Sequence, residues 1–352
     1  MKCKFKLVSF FLLLFTTLQV FSQGPIGGES DRIDGTFKFI PIPYVDYDNS
    51  YGYTIGVLPL GMFNLSKKDT ISPSSVAGLL GTYSENKSWA AMAFGMLYLK
   101  EDNWRVMYAG GIGGDRFQYQ ATAPINKWIP YITDYDFFYT DVKRKIYPHL
   151  YLGLSYIYTN VKTSTEYEPN PPATKLHGTG IELSYDKRSN VSYPRSGYLI
   201  EAYYLTYPKA FGNKYVSNQI IIDYNHYFST RNKKDVFATR FYSGVGLGQV
   251  DFNQQFIFGE VDLRGYSQGQ YRGNFTTAIQ AEYRWNFHKK FGLVGFGGVG
   301  TVFGSDNVDK NGVILPSIGT GMRYTYMEDT HSNVGFDVAK GRNDWSFNIR
   351  FS

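Results

Sequence analysis

The sequence predicts an all-β protein, a transmembrane antiparallel barrel of about sixteen strands. Three observations lead there. The first is strict alternation: Phe275, Thr277, Ile279, Ala281, Tyr283, Trp285 and Phe287 share one face, while Thr276, Ala278, Gln280, Glu282 and Arg284 share the other. Period-two spacing over a dozen residues is a strand with one apolar and one wet face. The apolar face here ends in an aromatic cluster of the kind that sits at a membrane interface. The second observation is composition: 31 Tyr, 27 Phe and 37 Gly accompany only 43% apolar residues, as when two unlike faces average out. The third is an export leader. A soluble β-sandwich also alternates, but its strands average ~5 to 6 residues, and no 3.6-residue apolar spacing stands out.

The leader is residues 1–22. Lys2, Lys4 and Lys6 precede an apolar run from Leu7 to Phe15, followed by the small polar patch Ser22-Gln23-Gly24. That pattern is a secretory signal peptide, and its apolar core is shorter than the ~20 residues of a spanning helix. The single cysteine, Cys3, lies inside it, so the mature chain is expected to have no disulfide and no lipid-bearing thiol. A short N-terminal periplasmic segment, 23–34, then leads into the barrel, 35–352.

The strands are read in order from alternation and turn residues. Strand 35–47 contains Pro41 and Pro43, each of which removes a ladder donor; both are tolerable if this strand borders a weakly closed seam. Strands at 51–64, 74–83, 88–99, 104–119 and 135–142 follow. In 150–160, Leu150, Leu152, Leu154, Tyr156 and Tyr158 alternate with Tyr151, Gly153 and Ser155. In 177–186, Ile181, Leu183 and Tyr185 alternate with Glu182, Ser184 and Asp186. Strands at 197–207, 217–228, 236–248, 274–287, 291–303 and 317–326 come next. The last two are 333–340, with Val334, Phe336 and Val338 on one face, and 345–351, with Trp345, Phe347, Ile349 and Phe351.

An even number of strands puts both termini in the periplasm, with short periplasmic turns such as 66–72, 188–196 and 288–290. The longer connections 120–134, 163–176, 249–273 and 304–316 face outward. The formal charge of +6 comes from bases scattered singly or in turns such as Arg231-Asn232-Lys233-Lys234. They read as solvated turns, and no nucleic-acid partner is expected.

Enzymatic chemistry finds little purchase. His149, His177, His226, His288 and His331 are dispersed without metal-ligand spacing, and neither His-Glu-x-x-His nor Gly-x-Ser-x-Gly occurs. The glycine strings "GGIGG" and "GGVG" fall within strands, where they relieve crowding instead of cradling phosphate. No catalytic residue, metal or cofactor is expected.

Four stretches carry a resemblance. "LRGY" (Leu263 to Tyr266) lies in the longest outer loop, with five strands after it; "DKRSNVSYPRSGY", "VGTVF" and "SNVGFDVAKG" follow the same order. Together they resemble the BamA/TamA superfamily of outer-membrane assembly barrels, also called the bacterial surface antigen family. The resemblance covers nearly the whole mature chain and implies an integral barrel of the Gram-negative outer membrane whose loop folds into the lumen. There it implies a lock in which Arg264 pairs with an acid of the following strands, and Glu282 occupies the matching position. Gly265 would turn the backbone sharply, and Tyr266 would pack on the inner wall while hydrogen-bonding. A second lumenal acid, common in the family, is replaced by Gly298, so the pairing could instead involve Glu260, Asp262 or Asp337.

Family members that assemble or translocate proteins carry periplasmic POTRA repeats, which this sequence lacks, so a periplasmic accessory protein could supply that part. The reading is therefore a factor in outer-membrane protein assembly, insertion or translocation. Its lateral seam would join Phe37, Phe39, Pro41 and Pro43 to Trp345, Phe347, Ile349 and Phe351. The alternative is a passive pore or structural barrel. In either reading the protein's surroundings would be outer-membrane lipids and lipopolysaccharide, and in the first its clients would be other barrel proteins.

Overall fold

The structure, a computed structural model, describes residues 32–33, 35–48, 51–120, 128–191, 194–232, 234–250, 254–259, 263–266, 271–288, 290–305, 311–327, 332–342 and 345–351. Its strands run β1 Phe37–Asp48, β2 Gly52–Phe63, β3 Ser75–Ser84, β4 Trp89–Leu99, β5 Trp104–Gln120 and β6 Trp128–Tyr147. They continue as β7 Leu150–Thr165, β8 Thr174–Asp186, β9 Gly197–Tyr207, β10 Ser217–Thr230 and β11 Asp235–Gly248. Two short strands, β12 Phe256–Phe258 and β13 Tyr271–Gly273, precede β14 Phe275–Trp285 and β15 Phe291–Phe303. The chain closes with β16 Leu315–Met327, β17 Ser332–Lys340 and β18 Trp345–Phe351.

Every strand but β12 and β13 belongs to one closed antiparallel barrel in which chain neighbours pair, β14 pairs with β11, and β18 meets β1. The wall thus has the expected sixteen strands. Closure gives every wall strand a neighbour on both sides, the arrangement that strands in a bilayer need. Three expectations need correction, the first being that the outer connection expected at 163–176 shrinks to 166–173, because pairing with β6 carries β7 on to Thr165 and pairing with β7 starts β8 at Thr174. The strand expected at 135–142 is β6, which extends to Trp128–Tyr147 because its ladder with β5 runs on to Gln120–Trp128. The 249–273 connection also holds a separate hairpin, β12–β13, too short to show a period.

Alternation sorts the side chains as the pattern implies. Leu154 and Ile318 are 65% and 69% exposed on the outside, whereas Leu60 and Tyr207 are 0% exposed within. An apolar outside of this kind is stable only against lipid. The lumen is not uniformly wet. Ile40, Leu60, Phe94, Ile157, Leu205 and Ile221, from β1 to β10, belong to one apolar cluster that also takes in Phe256 of the loop hairpin. Burial of these groups ties the hairpin to the wall.

The seam is thinly paired. β1 pairs with β2 along its full length, from Phe37 opposite Phe63 to Asp48 opposite Gly52, but among the described residues it meets β18 only through Tyr47 opposite Phe347. Pro41 stands opposite Pro59, and two residues without N–H cannot exchange ladder bonds. They therefore form a non-hydrogen-bonded pair, and by alternation the main-chain groups of Pro41 and Pro43 point toward β18. The β2–β3 register agrees, passing from Val57–Gly81 to Leu60–Gly78 without a pair at Pro59. Both prolines thus strip donors from the seam edge. Extending the Tyr47–Phe347 register sets Phe351 opposite Pro43, so Phe37 and Phe39 lie beyond the last residue of β18.

Candidate functional site

The 249–273 connection turns inward and seats itself on glycines of the wall. Phe258 lies where a Cβ on Gly300 would be 2.4 Å from its ring, and Leu263 where a Cβ on Gly298 would be 2.5 Å from its side chain. Gly298, which the resemblance marks as a missing acid, is thus a socket for Leu263. Phe258, Leu263, Tyr266 and Tyr271 pack with Ala278, Val302 and Leu315 in a cluster of their own. Tyr266 stands edge-on to Phe258 and Tyr271, with centroids 5.4 and 5.7 Å away.

At the tip, Arg264 is 4% exposed. Its Nη2 donates to Glu282 Oε2 at 2.5 Å and its Nη1 to Asp337 Oδ2 at 3.0 Å. The guanidinium carbon lies 3.4 Å from the Phe296 ring centroid, a cation–π stack. Each carboxylate has a second cation: Arg284 Nε donates to Glu282 Oε1 at 2.6 Å, and Arg323 Nη1 to Asp337 Oδ1 at 2.5 Å. Three guanidiniums thus enclose two carboxylates across β14, β16, β17 and the loop. A buried ion pair is tolerable only when its remaining lone pairs are met in this way. The planar fork of arginine lets one side chain bridge both acids.

The backbone is held as firmly. Ser317 Oγ donates to the Arg264 carbonyl, and Tyr266 Oη donates to Pro316 O at 2.5 Å while accepting from Arg342 N at 3.1 Å. Tyr266→Phe removes both phenolic bonds and leaves two backbone groups short of a partner. The expected loss is about 1–2 kcal/mol, read as a lower temperature for conversion of the compact to the unfolded gel form.

The structure therefore brings Arg264, Gly265, Tyr266, Glu282 and Asp337 together. Glu260 and Asp262 lie outside the described residues. Phe37, Phe39, Pro41 and Pro43 stand on β1, and Trp345, Phe347, Ile349 and Phe351 on β18. Sequence reasoning missed Arg284 and Arg323. Arg284 could have been found, since it shares the wet face of β14 with Glu282 at i+2; Arg323 reaches Asp337 across strands and leaves no local trace.

The "DKRSNVSYPRSGY" stretch builds a second buried network at the short-connection end. Asp186 accepts from Arg105 Nη1 at 2.8 Å and from Arg188 Nε at 2.9 Å, while Arg188 Nη1 donates to Val191 O at 3.0 Å. Arg105 also forks onto Asp102 at 2.8 Å from both Nε and Nη2. The β8–β9 connection is thereby pinned to β5 across the intervening strands.

The Omp85 superfamily domain matches residues 77–352, more than half of the chain. The chain belongs to the Omp85 superfamily. Solved Omp85-type barrels share its fold. BamA from Haemophilus ducreyi lacking POTRA domains 1–3 aligns with a TM-score of 0.60 at 13% identity, over 91% of this chain and 71% of that one. CdiB from Acinetobacter baumannii gives 0.62 at 11% identity, and CdiB from Escherichia coli gives 0.66 at 9%, each over 91% of this chain. This Omp85 chain spans 60% and 62% of those two CdiB chains. No curated protein matches the sequence significantly.

Proposed function

We propose that this Omp85 barrel resides in the bacterial outer membrane and assists assembly or insertion of other outer-membrane proteins by opening its β1–β18 seam to a client strand. The observation that carries the reading is the seam itself. Among the described residues it holds a single register pair, Tyr47 with Phe347, beside an edge from which Pro41 and Pro43 have removed donors. A strand edge that is only partly paired is a template for another strand. Opening it costs few hydrogen bonds, whereas parting any other pair of wall strands breaks a whole ladder.

In this reading the short connections face the periplasm, and the Arg264 lock holds the loop as a plug against the β14–β17 wall, which adjoins the seam through β18. Client barrels and a periplasmic accessory protein are the partners, and no chemistry on a substrate is involved. The plug and the apolar lumenal cluster weigh against a wide passive pore.

The test is a disulfide across the seam. Opposed residues of an antiparallel pair have Cα atoms about 4.5–5.5 Å apart, within the usual disulfide span, so Tyr47→Cys with Phe347→Cys is the chosen pair. In cells depending on this variant, oxidation should halt outer-membrane protein assembly and reduction should restore it, with neither single variant affected. Normal assembly through a fully locked seam would refute lateral opening.

A further inference from the structure

The bases that lie scattered along the sequence are gathered by the topology onto one end of the barrel. Lys67 and Lys68 sit in the β2–β3 connection, Lys187 in β8–β9, Lys234 in β10–β11 and Lys290 in β14–β15, all exposed and all at the short-connection end. Lys233 and Lys289, beside two of them in sequence, lie outside the described residues. The acids of the same connections are largely engaged. Asp69 accepts from the main-chain amides of Ile71, Ser72 and Glu101. Asp235, where β11 begins, accepts from Arg231 at 2.6 Å, and in the β4–β5 connection, which neighbours β2–β3, Asp102 is forked by Arg105. At the opposite end the described β3–β4 connection carries an acid and a base as near neighbours, Glu85 and Lys87.

Immediately above the basic connections lies an aromatic belt on the outer surface. Tyr185 and Tyr198 are 5.7 Å apart between centroids, Trp285 and Phe287 5.3 Å, and Phe291 and Tyr324 5.2 Å. Arg144, exposed near the end of β6, stacks its guanidinium 5.5 Å from the Trp104 ring on the neighbouring strand. Aromatic rings of this kind settle at the headgroup level, and basic side chains next to them extend toward the phosphates.

We propose that this end of the barrel is a collar for anionic phospholipid headgroups in the leaflet it faces. The collar runs around the wall from the β2–β3 to the β14–β15 connection. Its cations are distributed around the circumference instead of forming one patch, which suits many small diffusing anions and not a single acidic protein. The proposal rests on the barrel spanning a bilayer, and not on the seam opening.

The test uses the full chain in nanodiscs of phosphatidylcholine mixed with phosphatidylglycerol, with native mass spectrometry counting the lipids retained on gentle extraction. Phosphatidylglycerol should be enriched among the retained lipids, and the enrichment should fall about tenfold in K67E/K68E/K234E/K290E. The doubles K67E/K68E and K234E/K290E should each lose part of it. K87E/K209E, at the other end, should behave as the parent. Raising salt should erase the enrichment in the unmodified protein, since exposed charges are screened beyond about 10 Å at 0.1 M, so the test does not depend on the variants folding. No enrichment, an equal loss in K87E/K209E, or displacement of the lipid by inorganic phosphate at low concentration would overturn the proposal.

Discussion

Arg264→Ala releases the loop from the wall. The substitution deletes a side chain that bridges Glu282 and Asp337, and it removes the stack on Phe296. Breaking a buried ion pair by deleting one partner costs about 3–5 kcal/mol. Here Arg284 and Arg323 still neutralise one acid each, which places the expected loss near the lower figure, about 3 kcal/mol. Two measurements follow it. The temperature of the compact-to-unfolded gel transition should fall, and single-channel conductance in planar bilayers should rise as the plug loosens. Arg264→Lys should recover little, because an ammonium cannot bridge two carboxylates with a planar fork. If Arg264→Ala matched the parent in both transition temperature and conductance, the lock would be a surface decoration.

Gly265→Ala should be nearly as damaging for a different reason. Gly265 has φ +99, a region open to glycine and hostile to L side chains. An added Cβ would also lie 2.8 Å from Gly341 N and 2.9 Å from the Lys340 carbonyl carbon, which are backbone atoms at the end of β17 and cannot swing aside. The left-handed conformation alone costs roughly 1–2 kcal/mol, and the contact must be relieved by lifting the loop. Since both variants release the same loop, their effects should not add: the double variant Arg264→Ala/Gly265→Ala should be no less stable than the worse single one. Limited proteolysis within 249–273 would read this directly. A fully additive loss would mean that Gly265 and Arg264 support different parts of the structure.

Much of the wall was legible because each strand has one face in lipid. That requirement imposes period two over ten or more residues, and β9, β15 and β18 begin and end where the alternation does. The β12–β13 hairpin was illegible for the complementary reason. Its strands are three residues long, and its buried side chains answer to Gly298 and Gly300 on another strand and not to any repeat of their own. β6 outran its expected bounds because pairing with β5 carried it through a stretch with Pro130, whose missing donor reads in sequence as a break.

At the lock, the pairing of Arg264 with an acid was implied by resemblance, and the wet face of β14 offered Glu282. Which second acid completes it was open among Glu260, Asp262 and Asp337. Among the described residues the second acid is Asp337, placed by register: β16 and β17 set it opposite Gly321, whose lack of a side chain leaves room for the Asp337 carboxylate and the Arg323 guanidinium.

By itself, then, the sequence determined the class of solvent on each face, the number of wall strands and the residue types at the loop tip, because these follow from local alternation and from single residues with no substitute, such as Arg264 and Gly265. Tertiary structure alone decided what those residues meet. Ladder parity turned Pro41 and Pro43 toward the seam, glycine sockets received Leu263 and Phe258, and antiparallel winding brought every second connection, with its lysines, to one rim. Each of these depends on pairs far apart in the chain, and a one-residue change of register would undo it without altering the local pattern.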